Sequence, residues 1–138
     1  MRFFKLKFYY SLFSVIAINT YNEQMDLGMK NGPLKGIRII DASSILMVPY
    51  CTRLLADMGA EVIKIETLEG DNTRYIGPGV NKGMGAVFLN INRNKKSMCI
   101  DLKTQDGQLI IKKLIRSADV FVSNIRKAAL KRIGLTHS

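Results

Sequence analysis

Histidine is nearly missing from this 138-residue chain, with His137 the single example, beside the carboxyl terminus. A lone imidazole cannot complete a zinc site, and Cys51 and Cys99 lack the close spacing that would help it. Two cysteines make no disulfide framework, so both read as buried small hydrophobes in a reducing, cytoplasmic compartment. Acidic side chains are also scarce, 11 against 21 Lys and Arg, for a net charge of +10. No apolar run reaches the ~20 residues that span a bilayer, so no stable membrane span is expected. Internal repeats and low-complexity tracts are absent.

Two ligand classes fall away for want of glycine or its companions. The stretch Asp41–Met47, expected to be the first β-to-α turn, holds no glycine. A G-x-G-x-x-G fingerprint needs glycine there so that backbone can approach a pyrophosphate, so NAD binding of the usual kind is not expected. The pairs Gly77/Gly79 and Gly83/Gly85 lack the Lys-Ser/Thr ending of a phosphate-binding loop. A nucleic-acid-binding module is a further reading of the charge. No helix-turn-helix, RNP motif or interleaved aromatics accompany the basic residues, so no nucleic-acid partner is expected.

What is present is an α/β pattern with 47% hydrophobic and 23% charged residues, enough for a packed core. Residues 1–32 begin with Arg2, Lys5 and Lys7 and an apolar stretch from Phe8 to Ile18. They read as a leader or non-native extension, signal-like but without a small-residue cleavage site. From Pro33 onward the chain reads as one α/β domain. Gly36–Asp41 and Glu61–Glu66 are expected strands, joined by a helix that starts near Pro49 and ends at Gly59. Its expected core stripe is Cys51, Leu54, Leu55 and Met58. Residues 67–83 form a long irregular connection, followed by a mixed segment, Ala86–Asn92, and the basic tract 93–96. A third strand is expected over Ser97–Asp101. Thr104 caps a helix with Ile110, Ile111, Leu114, Ile115 and Ala118 on one side, and Asp119–Asn124 is the fourth strand. A short basic helix from Arg126 to Ile133 ends at Gly134. The fold class is a Rossmann-like, mainly parallel sheet with flanking helices.

Charge is uneven along this frame: +2 over residues 1–31, zero over 32–91 and +8 over 92–138. That excess predicts an anionic partner. In an open parallel sheet ligands bind beyond the carboxyl ends of the strands. Residues 41–47, 66–74, 101–103 and 124–126 should collect there. Arg74, Lys103, Arg126 and Arg132 would supply cations, and Asn124 a hydrogen-bonding amide.

The runs PLKGIRIID (33–41) and LLADMGAEVIKIE (54–66) resemble the opening of the family III CoA-transferases. That family includes formyl-CoA transferase, carnitine CoA-transferases and α-methylacyl-CoA racemase. GDNTR (70–74), NRNKKS (92–97), DLKT (101–104), ADVFVSN (118–124) and IGL (133–135) extend the match in order. The resemblance implies a large domain that takes coenzyme A or acyl-CoA as substrate, without a metal, in a family that forms interlocked homodimers. It implies CoA contacts from Ile100, Asp101, Leu102 and Lys103, from Asn124, Ile125 and Arg126, from Arg132, and from Leu46 and Met47 in the first turn. The implied chemistry is attack of an aspartate on an acyl-CoA thioester. That aspartate falls beyond the position matching Gly134, and none of the chain's own aspartates aligns with it, so no catalytic residue is expected. Residues 33–138 therefore read as the amino-terminal part of an incomplete large domain, inactive alone and poorly soluble, or as a non-catalytic partner of a full-length relative.

Overall fold

The computed structural model describes residues 32–135, so His137 and all but the last residue of the expected leader lie outside the described residues. Four parallel strands form the sheet: β1 (Arg38–Ala42), β2 (Glu61–Glu66), β3 (Lys96–Cys99) and β4 (Val120–Ser123). Their spatial order is β3-β2-β1-β4. The chain steps outward from β1 to β2 to β3, then returns to place β4 on the other side of β1. Ile40 aligns with Ile63 on one side and with Phe121 on the other. A reversal of strand order opens a crevice between β1 and β4 at their carboxyl ends, the place where such sheets hold ligands.

Each face of the sheet has its own core. Ile40, Ala42, Ile65, Ile100 and Ile111 pack on one side, with Leu114, Ile115, Ala118, Phe121 and Leu135 around them. Ile39, Ala56, Ala60 and Val62 pack on the other, with Leu34, Ile37, Leu55 and Val122. Period-two alternation assigns neighbouring strand residues to opposite faces. Helix α1 (Met47–Asp57) therefore covers one face, and α3 (Gln105–Arg116) the other. The Thr104 hydroxyl accepts from the Gly107 amide at 3.0 Å, the expected cap. Gly107 must be glycine, because a Cβ there would lie 2.0 Å from the Asp101 carbonyl oxygen. Gly59, with φ +98°, ends α1 in the left-handed conformation glycine tolerates.

Several local expectations are corrected. The stripe expected to face the core from α1 is largely turned outward, with Cys51, Leu54 and Met58 exposed, and Cys99 on β3, also expected to be buried, is exposed as well. The buried residues of α1 are Pro49, Thr52 and Ala56, small enough to let the helix lie close to the sheet. Ile110 on α3 is half-exposed, whereas Ile111 is buried. The mixed segment 86–92 contains a short helix, α2 (Ala86–Ile91), and the long connection includes a 3-10 turn, Asn72–Tyr75. A last helix, α4 (Lys127–Arg132), follows β4.

Candidate functional site

All four expected strand-end segments meet in one cleft. Its walls include Ala42–Ser44 after β1, residues 64–71 at the end of β2 and beyond it, Ile100–Lys103 after β3, and Ile125 after β4. The cleft measures about 260 Å³, just below the ~300–1,000 Å³ range of small-molecule pockets. Ile100 forms its buried floor, while Lys103 is exposed at its edge. The Asp101 carboxylate accepts from the Lys103 amide at 3.0 Å, fixing the turn that carries the lysine.

Behind the cleft, on the face covered by α1, lies a layer of buried charge. Asp41, Lys64 and Glu66 alternate with Ile40 and Ile65 along the strands, and all three are buried. The Lys64 ammonium lies 2.9 Å from Asp71 Oδ2 and donates to the Ser43 carbonyl at 2.8 Å. Asp41 accepts from the Ser43 hydroxyl, from Thr52 at 2.6 Å and from the buried Lys95 ammonium at 3.0 Å. Burial disfavours the Glu66 and Asp71 carboxylates, but hydrogen bonds outweigh it and hold both below the ordinary carboxylate range. For Glu66 these come from Arg74, Ser97 and the Asp71 amide; for Asp71, from Thr73 and Lys64. Burial lowers the Lys95 ammonium despite the opposing pull of Asp41.

This layer reassigns several cations. Arg74 grips both Glu66 oxygens at 2.7 Å and stacks 3.7 Å over the Phe88 ring. Its guanidinium is committed to holding the loop rather than open to a phosphate. Lys95, in the basic tract, is buried against Asp41, while Arg93 pairs with Asp57 at 2.8 Å and Lys96 with Glu61 at 2.7 Å. Three cations of the +8 segment therefore answer acids of the neutral segment. Sequence reading missed Lys64 and Lys95; the signal for Lys64 was a charge inside the apolar run Val62–Ile65.

The remaining candidates stand at or near the strand ends. Asn124 directs its side-chain amide across the crevice to Ser44, donating to the carbonyl at 2.8 Å and accepting from the amide at 3.1 Å. Arg126, beside the cleft-lining Ile125, and Arg132 on α4 are exposed and make no ion pair among the described residues. Leu46 and Met47 are exposed at the start of α1, at 48% and 84%, outside the cleft lining. Among the described residues no group of His, Cys, Asp and Glu could hold a metal, and no helix is long and apolar enough to cross a membrane.

Parallel strands in the order 3-2-1-4, with a cleft beyond their carboxyl ends, define a Rossmann-like α/β domain of the ligand-binding kind. Residues 34–138 match the family model for CoA-transferase family III, and the chain belongs to that family. It is 39% identical over 109 residues to the (R)-2-hydroxy-4-methylpentanoate CoA-transferase of Clostridioides difficile, covering 75% of this chain and 27% of that protein. It is 38% identical over 119 residues to the succinate–glutarate CoA-transferase of Agrobacterium fabrum, covering 81% of this chain and 30% of that protein. The chain thus spans less than a third of the length of these curated relatives. A CAIB/BAIF family protein from Brucella suis superposes with a TM-score of 0.73 at 36% identity, covering 78% of this chain and 29% of that one.

Proposed function

We propose that the carboxyl-end cleft receives the coenzyme A portion of an acyl-CoA, and that this chain supplies CoA binding to the transfer of CoA between an acyl-CoA and a carboxylic acid. Acyl-CoA racemisation is the companion chemistry in the same family. The observation that carries the proposal is the convergence of four sequence-distant segments on one cleft at the switch point, with Lys103 exposed at its edge. Lys103, Arg126 and Arg132 have no ion pairs among the described residues, so they are available to phosphate oxygens. Ile100, Asp101, Leu102 and Ile125 shape the wall, Asn124 holds the lining Ser44 in place, and Leu46 and Met47 flank the wall's first turn.

The same geometry argues for binding without transfer by this chain alone. Transfer requires a carboxylate oxygen to attack the thioester carbonyl while the C–S bond breaks and CoA leaves as thiolate. Glu66 and Asp71 are locked in ion pairs, and Asp101 is tied to the Lys103 amide. Of the cleft carboxylates only Glu69 is exposed, and no hydrogen bond or ion pair orients it among the described residues.

Calorimetric titration of the 138-residue chain with CoA tests this reading. Binding should weaken with added salt, and Lys103→Ala and Arg126→Ala should each reduce affinity about fivefold. No CoA transfer should occur from any acyl-CoA donor. A folded chain that takes up no CoA at low salt overturns the binding reading, and turnover in a clean preparation overturns the inactivity.

A further inference from the structure

One residue next to the cleft wall, directly after the lining Ser44, has a backbone its side chain disfavours. Ile45, in the turn between β1 and α1, has φ +71°. A β-branched residue in the left-handed region carries steric strain from its own Cβ. Ile45 is 52% exposed, so burial of its side chain does not compensate for that strain. Two side chains on either side of it grip the preceding backbone. Lys64 donates to the Ser43 carbonyl at 2.8 Å, and Asn124 bonds both the amide and the carbonyl of Ser44. Asn124 is itself anchored at the end of β4, where the Ser123 hydroxyl donates to the Ala42 carbonyl and accepts from the Ile125 amide, each at 3.1 Å. The two grips come from opposite sides of β1, one from β2 and one from the far side of the switch-point crevice.

We propose that Asn124 is a positioning residue: with Lys64, it clamps the turn Ser43–Ile45 in its strained form, and that form is the one competent to hold the cleft's ligand. This rests on the reading of the cleft as a CoA site. Ser43 and Ser44 line the cleft, so the turn's conformation is also the shape of its wall. Without the Asn124 amide, Ile45 is free to return to an ordinary negative φ, which withdraws Ser44 and the first residues of α1 from their places. Ser44 engages one N–H and the carbonyl oxygen of the Asn124 amide, and this two-point grip on the backbone assigns the residue a part in the wall's geometry.

Glycine at position 45 separates positioning from direct contact, because it adopts a positive φ at little cost. In the wild-type background Asn124→Ala should weaken CoA binding about tenfold, the population lost when a non-glycine residue leaves the left-handed region. Ile45→Gly alone should change affinity less than about twofold, and Asn124→Ala added to Ile45→Gly should cost only about twofold more. Asn124→Asp, which keeps the acceptor and loses the donor, should fall between Asn and Ala. An equal loss in both backgrounds would mean direct contact and would overturn the proposal. NMR of the ligand-free chain gives an independent reading: the Ile45 HN–Hα coupling and Cα shift should report a left-handed residue in the wild type and an ordinary one in Asn124→Ala. An Ile45 that stays left-handed without Asn124 overturns the clamp. A wild-type chain that binds no CoA would sink the ligand reading and the ligand half of this proposal, while the NMR comparison would still decide the clamp.

Discussion

Replacing Lys64 with Met leaves the shape of β2 nearly intact and removes one buried ammonium. In the native chain both partners of the Lys64–Asp71 pair are 1% exposed, and the ammonium also satisfies the Ser43 carbonyl. Asp71 Oδ2 has no other hydrogen-bond partner among the described residues, so Lys64→Met strands a buried carboxylate oxygen as well as a carbonyl. Breaking a buried pair from one side costs about 3–5 kcal/mol, a large part of a domain's total stability. At an assumed slope of ~2 kcal/mol/M, a cost of ~4 kcal/mol lowers the urea midpoint by about 2 M. Far-UV circular dichroism is the suitable probe, since the chain contains no tryptophan. The pH dependence sharpens the test. Asp71's pKa is depressed, so its pairing adds stability above the ordinary Asp value of ~3.9, and that stability is lost as pH falls through the lower folded value. In Lys64→Met this contribution is gone and the stranded carboxylate resists ionisation. The gap between the two proteins should therefore be widest at neutral pH and close as pH falls below about 4. A penalty under ~1 kcal/mol at pH 7, or a gap that ignores pH, would refute the reasoning.

Arg74→Lys should cost about 2 kcal/mol, measured by denaturant titration, because an ammonium cannot span both Glu66 oxygens or stack on Phe88 in the same way. A fully stable lysine variant would show that the fork geometry is unimportant. Thr104→Ala should lower stability by about 1 kcal/mol through loss of the α3 cap, while Thr104→Ser keeps it, as read from thermal melts. Both cysteines should react with iodoacetamide in the native chain. Cys99 should gain reactivity only above the usual thiol range, since burial and the Glu66 charge raise its pKa. Protection of either thiol until unfolding would contradict its exposed position.

The strands were legible because they are short apolar runs bounded by turn residues, and β2 lies at Glu61–Glu66 as expected. The α3 cap and the convergence of four segments followed from equally local signals, Thr104 and the strand ends. The orientation of α1 was not legible. Hydrophobicity marks Cys51, Leu54 and Met58 as a stripe, yet the helix meets the sheet through Pro49, Thr52 and Ala56. Close approach to the sheet selects small side chains, and the Asp41 carboxylate selects a hydroxyl at position 52. Nor could a linear count reveal that Arg93, Lys95 and Lys96 would find acids dozens of residues earlier. Charge along a chain predicts a partner only after folding has decided which charges meet.

The Asp41–Lys95 contact also bears on the order in which this chain can fold. Asp41 is fully buried at the end of β1, and Lys95, 54 residues later, is the cation that neutralises it. A nascent chain ending at β2 already contains every strand and helix of a β-α-β unit, but it would have to bury that carboxylate without its counter-charge. Such a burial costs several kcal/mol, more than a unit of that size can spare. The stretch that supplies Asp41 with its counter-charge therefore reaches to Lys95, just ahead of β3, so the first strand's carboxylate is neutralised only after the whole β-α-β unit has been made.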